Sequence, residues 1–290
     1  MSFFGPNPFG IHHRGRSFSA MYRELLERLA GYAPHHRPII LTGSGTAGIE
    51  FLIDSSPQRA RVWQPDHPFA SRIASSLKAR KDSVWTIDPT DIWAVQYDPC
   101  LCAAIDPTQL QREAGRGRLL IDAVSSWPYY SVPDNTACFV TVSSKQLGAA
   151  PVLSFVFCTE EFILQSPSSE LRNLYGRAYD LAPSGIKLKD NPETPNTPAI
   201  PLMAHALKKL RRFDLQSFRK TIDDRRSALE AFPFVTGEGP VVTLNRSLSS
   251  RLGFEEFYFK NDEAKLFLWS GTDNEFQKLI TILEGISDVI

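Results

Sequence analysis

The stretch that decides the fold is Pro38–Ile53, which reads PIILTGSGTAGIEFLI. A β-branched apolar run is followed by a glycine-rich turn and then by a second apolar segment, and this order predicts a strand, a tight turn and a helix. The N–H groups that begin a helix have no intrahelical partner and lie at the positive end of its dipole. Ser44, Gly45 and Thr46 are therefore predicted to bind a phosphate group.

Strand and helix patterns alternate on both sides of this stretch. Helical spacing of apolar residues runs from Ser17 to Gly31 and recurs over Phe69–Leu77 and Pro107–Glu113. Apolar strands are predicted at Arg61–Gln64, Ser83–Ile87, Asp91–Tyr97, Arg118–Val124, Ala137–Ser143 and Val152–Cys158. Nearly continuous apolar strands that alternate with helices predict an α/β fold, with a mainly parallel sheet flanked by helices. Such a sheet binds its ligands at the carboxyl ends of its strands.

The pattern changes after Glu160. A proline-rich connector covers Asn191–Pro198, and a long helical pattern then runs toward Ala231. Strands at Val241–Asn245, Glu256–Lys260 and Lys265–Trp269, followed by a helix over Asn274–Ile286, predict a small α+β domain. We therefore divide the chain into an N-terminal arm (residues 1–16), a large domain (residues 17–210) and a small C-terminal domain (residues 211–290).

Composition excludes several classes of partner. The 32 basic and 32 acidic side chains give no net charge, so nothing favours binding to nucleic acid or to an anionic membrane. The sequence has neither a signal-peptide pattern at its start nor an apolar segment long enough to cross a bilayer, and we expect a cytoplasmic protein. The cysteines lack the spacing of a metal site or a disulfide framework, and we expect no metal and buried, reduced thiols at Cys100, Cys102, Cys138 and Cys158.

Two further motifs end predicted strands. Asp122 lies in LLIDAVSSW (Leu119–Trp127), and Lys145 lies in TVSSKQLG (Thr141–Gly148). A phosphate-binding turn, an acid that keeps a pyridine nitrogen protonated and a lysine that forms a Schiff base are together what a pyridoxal phosphate enzyme needs.

The glycine turn also permits a second interpretation. Gly43, Gly45 and Gly48 match the dinucleotide fingerprint G-x-G-x-x-G, and Asp66 ends the next predicted strand. An NAD-dependent oxidoreductase therefore remains an alternative, although a dinucleotide domain has no need of Lys145.

The order and spacing of these motifs resemble those of the class V aminotransferases, a family of the type I pyridoxal phosphate fold that includes alanine–glyoxylate and 2-aminoethylphosphonate aminotransferases. The resemblance runs from about Ile11 to the end of the chain. The matching segments are HHRGRSF (His12–Phe18), TGSGTAGIE (Thr42–Glu50), HPFASR (His67–Arg72), DAVSS (Asp122–Ser126), SSK (Ser143–Lys145) and TPNTP (Thr194–Pro198). The resemblance implies pyridoxal 5'-phosphate bound in the large domain, and a homodimer with composite active sites.

The resemblance also implies roles for individual residues. Lys145 would hold the cofactor and then move a proton, and Asp122 would pair with the ring nitrogen. Phe69 and Val124 would enclose the ring. The remaining cofactor-binding residues would be Ser44, Gly45, Thr46, Ser144 and Thr197 of the partner subunit.

The chain departs from this family where substrate is bound. The family's Arg-Ile-Gly motif, whose arginine grips the substrate carboxylate, is replaced by KLFLWSG (Lys265–Gly271), with Leu268 or Trp269 at the position of the arginine. Either Arg14 or Arg16 of the arm replaces it, or the substrate lacks an α-carboxylate. Trp127 fills space that relatives leave to glycine, and we expect Arg14, Trp127 and Trp269 to contact an unusual amine or amino acid.

The predicted function is that of an aminotransferase, which moves an amino group between a small amino acid or amine and an oxo acid or aldehyde. Lyase, decarboxylase or aldolase chemistry on the same cofactor stays open, as does a degenerate relative that binds the cofactor without turnover. Cysteine desulfuration is disfavoured because Ser144, rather than a histidine, precedes Lys145.

Overall fold

The computed structural model describes residues 15–56, 60–64, 67–80, 91–99, 102–166, 168–192, 200–245, 258–260 and 263–287. Its helices are α1 (Arg16–Gly31), α2 (Gly45–Ser55), α3 (Pro68–Arg80), α4 (Pro107–Ala114), α5 (Glu160–Gln165), α6 (Ser169–Ala178), α7 (Ile200–Leu210), α8 (Leu215–Glu230) and α9 (Asp273–Ser287). Its strands are β1 (Arg37–Thr42), β2 (Ala60–Val62), β3 (Asp91–Val95), β4 (Tyr97–Asp98), β5 (Ala103–Ala104), β6 (Leu119–Asp122), β7 (Thr136–Val142), β8 (Leu153–Cys158), β9 (Tyr179–Ala182), β10 (Gly185–Leu188), β11 (Val235–Thr236), β12 (Val241–Asn245), β13 (Tyr258–Lys260) and β14 (Glu263–Phe267).

The described residues form two compact units. The first unit contains the chain up to Val95 and Pro107–Phe213, and the second contains Gln96–Asp106 and the chain from Asp214 onward. The predicted boundary after residue 210 lies close to this division, but the segment Gln96–Asp106, which we assigned to the large domain, belongs to the second unit. Its strand β4 pairs only locally with β5, and the Tyr97 hydroxyl donates a hydrogen bond to the Glu238 carbonyl oxygen at 2.7 Å.

A six-stranded sheet in the order β1-β8-β7-β6-β3-β2 forms the centre of the first unit. The pairs β2–β3, β3–β6 and β6–β7 are parallel, whereas β8 is antiparallel to both of its neighbours. The mainly parallel α/β fold is therefore confirmed, and the reversed strand β8 was not predicted. Its direction follows from the connection after β7, which contains no helix and is too short for the crossover that a parallel pair requires.

The reversal of β8 decides which strand ends lie side by side. The row of strand ends on one side of the sheet is called the sheet edge below. Because β8 lies between β1 and β7 and runs against both, β1 and β7 point the same way. The carboxyl ends of β1, β6 and β7 therefore lie at one edge, together with the start of β8. This edge carries the glycine turn, Asp122 and the segment that contains Lys145.

Aromatic and aliphatic side chains fill both faces of this sheet. Phe139 on β7 and Phe157 on β8 stack with ring centroids 4.4 Å apart. The predicted first helix is confirmed as α1, and its apolar stripe packs inward because its buried residues recur every three or four positions: Phe18, Met21, Tyr22, Leu25, Leu26 and Leu29.

Some elements differ from the sequence prediction. The hairpin of β9 and β10 was not predicted, and β2 ends at Val62 rather than Gln64. The strand predicted at Ser83–Ile87 lies outside the described residues. No helix in the described parts of the chain is long and apolar enough to span a membrane.

The second unit has the predicted α+β composition. Its four-stranded antiparallel sheet has the order β11-β12-β14-β13, and helices α8 and α9 belong to the same unit. Val241, Leu244, Ala264 and Leu268 are fully buried or nearly so, which gives this unit its own apolar interior.

Candidate active site

The glycine turn places the start of α2 directly on the central sheet. A Cβ atom at Gly45 would lie 2.7 Å from Val124 Cγ2, and one at Gly48 would lie 2.8 Å from Val140 Cγ1. Both distances are far below ordinary contact, so only glycine allows the helix to lie this close. The glycines predicted to serve a phosphate thus also have a packing function, and the first turn of α2 lies against the residue that follows the end of β6.

Strand β8 holds the glycine turn from the other side. The Ser154 hydroxyl donates to the Ser44 carbonyl oxygen at 2.5 Å, and the Gly43 N–H donates to the Val152 carbonyl oxygen at 2.9 Å. Ser44 is the N-cap of α2, and its exposed side chain accepts a long hydrogen bond of 3.4 Å from the Ala47 N–H. The exposed side chains of Ser44 and Thr46 and the first N–H groups of the helix therefore make the start of α2 a site suited to an anion.

Asp122 is the last residue of β6 and lies in the middle of the sheet edge, opposite Val95 on β3 and Val140 on β7. It is 7% exposed, and its Oδ1 atom accepts a hydrogen bond of 3.0 Å from the Val124 N–H. Val124 is the residue that contacts Gly45. The predicted acid and the predicted phosphate-binding turn are therefore neighbours.

Lys145 lies in a compact turn that follows β7. The Gly148 N–H donates to the Lys145 carbonyl oxygen at 3.0 Å, and the Ala149 N–H donates to the Ser143 carbonyl oxygen at 2.9 Å. The Ser143 hydroxyl closes the turn by donating to the Ala150 carbonyl oxygen at 2.5 Å. Lys145 is half-buried and Ser144 is exposed, so this turn has a fixed backbone and presents both side chains at the sheet edge.

Gln146 joins the turn of Lys145 to the turn after Asp122. Its side-chain amide donates to the Ser125 carbonyl oxygen at 2.8 Å and accepts from the Tyr129 N–H at 2.8 Å. Only 3% of Gln146 is exposed. No motif in the sequence indicates a function for Gln146. The one signal was a polar residue directly beside the predicted lysine.

His205 on α7 supports the same turn from a second direction. Its Nδ1 atom accepts a hydrogen bond of 2.8 Å from the Ala150 N–H, so its other ring nitrogen carries the proton in the neutral form. No sequence motif indicated this contact, because it joins residues far apart in the chain.

Helix α3 lies beside α2 and carries Phe69 at its start. Phe69 is half-buried, and no contact of its ring with the other predicted residues is described. The Arg72 Nη1 atom donates to Thr46 Oγ1 at 3.1 Å, and the Ser76 hydroxyl donates to Glu50 Oε1 at 2.7 Å. Arg72 entered the sequence analysis only as part of a motif, without a function of its own.

Two of the predicted substrate residues, Trp127 and Trp269, lie within the described residues, one in each unit. Trp127 is 3% exposed and packs on Tyr32, Phe139 and Phe157, so it offers little surface to a substrate. Trp269 lies in the second unit, where its ring packs on Phe267 with centroids 4.9 Å apart. Arg14, Thr197 and Asp66 lie outside the described residues.

Burial shifts the pKa values of two ionisable groups of the first unit toward their neutral forms. Burial lowers the pKa of His36 below its usual 6.5, although the bond of its Nε2 atom with the Thr136 carbonyl oxygen at 2.8 Å opposes that effect. Burial likewise raises the pKa of the Cys138 thiol well above its usual range, and the neighbouring Cys158 raises it further. Cys102, Cys138 and Cys158 are free and buried, as predicted, whereas Cys100 is not described. Within the described ranges no group of side chains is arranged to hold a metal ion.

No protein-family model matches the chain, and no curated protein sequence matches it. Solved structures do match, over most of their length. The aspartate aminotransferase of subgroup IV from Thermus thermophilus has a TM-score of 0.73 at 16% identity, over 95% of this chain and 93% of that chain. The alanine–glyoxylate aminotransferase from Nostoc sp. has a TM-score of 0.70 at 17% identity, over 95% of this chain and 89% of that chain.

A third similar structure is the pyridoxamine–pyruvate aminotransferase from Mesorhizobium loti. It has a TM-score of 0.70 at 15% identity, over 96% of this chain and 86% of that chain. Likeness at such identities establishes the fold. The predicted fold is therefore confirmed: this chain has the fold of these solved aminotransferases.

Proposed function

We propose that this protein is a pyridoxal 5'-phosphate-dependent aminotransferase of the class V type. It would move an amino group between a small amino acid or amine and an oxo acid or aldehyde. One observation carries the proposal: a single edge of the central sheet brings together the start of α2, the buried carboxylate of Asp122 and the turn of Lys145. The fold, which is shared with solved aminotransferases, supports the same conclusion.

The residues at this edge fit the cofactor at three points. The start of α2 offers N–H groups and the hydroxyls of Ser44 and Thr46 to a phosphate, and Ser144 is exposed beside the lysine. Asp122 offers a buried acceptor to the ring nitrogen, and Val124 lies between that acceptor and Gly45. The cofactor, when bound, supplies a positively charged ring that withdraws electrons from the substrate.

Asp122 would keep the ring nitrogen protonated. Its Oδ1 atom is fixed by the Val124 N–H, so the carboxylate has a defined orientation before any ligand arrives. A buried carboxylate beside a cation stabilises the charged form of that cation more strongly than an exposed one does.

Lys145 would carry the cofactor covalently and then act as the proton carrier. The substrate amine would first release the Nζ atom of Lys145. This atom would then move a proton between the substrate Cα and the cofactor carbon. The contacts of Gln146 and His205 support this assignment because they fix the backbone from which the amine projects.

The topology disfavours the alternative of an NAD-dependent oxidoreductase. The dinucleotide fingerprint needs a strand, a helix and an adjacent parallel strand in one unit. Here β1 pairs with the antiparallel β8, and β1 and β2 are the two outermost strands of the sheet. Lyase, decarboxylase and aldolase reactions would use the same residues, and they are distinguished by their products.

The remaining parts of the proposal rest on the resemblance. We propose a homodimer in which Thr197 of the partner subunit reaches the phosphate, and a substrate contacted by Arg14 and Trp269. The predicted contact of Trp127 would be limited to the small exposed part of its ring, because Trp127 is 3% exposed. The division into an arm (1–16), a cofactor-binding domain (17–210) and a small domain (211–290) belongs to the same proposal. We also propose a cytoplasmic location. Cys138 and Cys158 lie opposite each other on neighbouring strands as free thiols, which agrees with a reducing compartment.

The proposal is tested by mixing the purified chain with pyridoxal phosphate. We expect a visible absorption band that borohydride removes, and peptide mapping should then locate the reduced adduct on Lys145. A panel of amines and amino acids, scored by loss of the band and its return with oxo acids, identifies the donor and the acceptor. A protein that acquires no band, or an adduct on another lysine, contradicts the proposal. A band that responds to amines without transfer to any oxo acid favours the lyase-type or non-turnover alternatives.

A further inference from the structure

The contact between Arg72 and Thr46 brings a guanidinium to the start of α2. Thr46 is the second residue of that helix and Arg72 lies on α3, so the 3.1 Å hydrogen bond joins two different elements. Both side chains are exposed. The bond engages one of the five N–H donors of a guanidinium, and the planar group suits a second, two-pronged interaction with an oxyanion.

The charge of the proposed phosphate requires such a group. A phosphate monoester carries between one and two negative charges at neutral pH. Ser44, Gly45, Thr46 and Ser144 carry none, and the amine of Lys145 is assigned to the aldehyde end of the cofactor. The dipole of α2 supplies only about half an elementary charge, so a dianion held by these residues alone would stay largely uncompensated.

The position of Arg72 on α3 agrees with this need. Phe69, Arg72 and Ser76 are spaced by three and four residues and share one face of the helix. Phe69 is the proposed ring contact, and Ser76 binds Glu50 further along α2. The hydrogen bond between Ser76 and Glu50 already connects the two helices, so the Arg72 bond is not needed to hold them together. Its effect is to orient the guanidinium toward the first turn of α2.

We propose that Arg72 is the cationic phosphate-binding residue of this site, oriented by the Thr46 hydroxyl. This inference rests on the proposed function and adds a specificity to it. Arg72 would make the protein favour the phosphorylated cofactor over pyridoxal, because only the former has a group for the guanidinium to bind. Thr46 would accept from Arg72 and donate its own proton to the phosphate.

The test measures the binding of two vitamers to the cofactor-free protein. Wild type, Arg72→Gln, Arg72→Lys and Lys78→Gln are each titrated with pyridoxal phosphate and with pyridoxal, with the visible band as the readout. Lys78 is a matched control because it is exposed on the same helix. A partly exposed charge-assisted contact predicts about a tenfold loss of pyridoxal phosphate affinity in Arg72→Gln, with unchanged affinity for pyridoxal. Arg72→Lys should lie between Arg72→Gln and wild type, and Lys78→Gln should match wild type.

A second measurement separates phosphate binding from general damage to the fold. Inorganic phosphate should compete with pyridoxal phosphate in wild type and compete about tenfold less well in Arg72→Gln. The double variant Arg72→Gln/Thr46→Val should lose less affinity than the two single losses combined, because the hydroxyl acts partly through the guanidinium.

The outcomes distinguish this inference from the proposed function. Equal losses for pyridoxal phosphate and pyridoxal, or no loss in Arg72→Gln, would overturn the assignment of Arg72 while leaving the enzyme a pyridoxal phosphate protein. A wild-type protein that takes up neither vitamer overturns both. If Arg72→Gln does not fold, the comparison of Arg72→Lys with Lys78→Gln decides, since equal vitamer preference in these two also overturns the inference.

Discussion

Two turns of this molecule, one in each compact unit, are held in place by chemically different means. In the first unit, the turn of Lys145 is fixed by Gln146, Ser143 and His205, which bind backbone groups as an amide, a hydroxyl and a ring nitrogen acceptor. In the second unit, Arg225 fixes the turn after β14. Its guanidinium donates to the carbonyl oxygens of Leu268, Ser270 and Gly271 at 2.8, 2.9 and 3.2 Å.

The difference shows that the backbone of a turn can be fixed by uncharged hydrogen-bonding side chains as well as by a guanidinium. A fixed cation beside the amine of Lys145 would disfavour its protonated form, and a fixed anion would favour it. The backbone of the Lys145 turn is held by hydrogen bonds of an amide, a hydroxyl and an imidazole rather than by a guanidinium. The turn after β14 has no proposed acid–base function, so a buried guanidinium there costs nothing in reactivity.

The largest effect is expected at Lys145. Lys145→Ala should abolish the visible band and the borohydride-stable adduct, and turnover should fall by more than about a thousandfold because the covalent anchor and the proton carrier are both lost. Unfolding free energy should change by only about 1 kcal/mol, since the side chain is half-buried and the bonds that close the turn come from Ser143, Gly148 and Ala149. Absorption spectra and denaturant titrations provide the two readouts.

Asp122→Asn is the natural control for Lys145→Ala. It keeps the shape of the side chain and should therefore retain covalent attachment while losing most turnover, because an amide does not hold the ring nitrogen protonated. A Lys145→Ala protein with the wild-type spectrum would remove Lys145 from the site.

The next largest effect is expected at Arg225, with the opposite signature. Its side chain is 8% exposed, and Arg225→Met would leave three carbonyl oxygens without their donor. We expect a loss of about 3 kcal/mol in unfolding free energy, measured by denaturant titration. Arg226→Met is the matched control, because the neighbouring Arg226 makes only long ion pairs of 3.8 and 3.4 Å and should lose less than about 1 kcal/mol. Equal losses in the two variants would contradict the structural function of Arg225.

A smaller effect is expected at Gln146. Gln146→Leu would remove the donor to the buried Ser125 carbonyl oxygen and the acceptor of the Tyr129 N–H, which predicts a loss of about 2 kcal/mol in stability. Retention of pyridoxal phosphate should weaken as well, because the turn of Lys145 is no longer tied to the turn of Asp122. Gln165→Leu, at an exposed position on α5, serves as the control in thermal unfolding and dialysis. Unchanged cofactor retention in Gln146→Leu would show that the amide braces the fold but not the site.

The smallest effect is a pH dependence of stability at His36. Burial lowers its pKa below the usual 6.5, so the unfolded chain binds a proton in the range just below 6.5 where the folded chain does not. Unfolding free energy should therefore fall as the pH drops below about 6.5, by at most about 1.4 kcal/mol per pH unit, and this group should contribute no slope above it. His36→Gln should flatten the profile, while His35→Gln, at the exposed neighbour, should reduce the slope only slightly, because the charge of His35 is the last of the causes that act on the pKa of His36. A profile that His36→Gln leaves unchanged would mean that another group titrates.

Sequence patterns predicted the elements of this fold better than the contacts between them. Apolar runs located β6 and β7. Asp122 and Lys145, which end or follow these strands, stand out because ligands bind at the carboxyl ends of such strands and because an acid and a lysine fit pyridoxal phosphate chemistry. The direction of β8 is a matter of pairing, which the apolar pattern does not encode. The contacts of Gln146, His205 and Arg72 join segments that are far apart in the sequence, so no local pattern could reveal them.

The reversed strand has a consequence for how the two ends of a bound cofactor are spaced. Residues 143–154 run without interruption from the lysine turn into β8, and β8 holds the glycine turn through Val152 and Ser154. A single short segment therefore sets the distance between the turn of Lys145 and the proposed phosphate site at the start of α2. A change in the length of residues 143–154 would displace the turn of Lys145 relative to the start of α2. Insertions in this segment should therefore impair cofactor binding more than insertions in other loops.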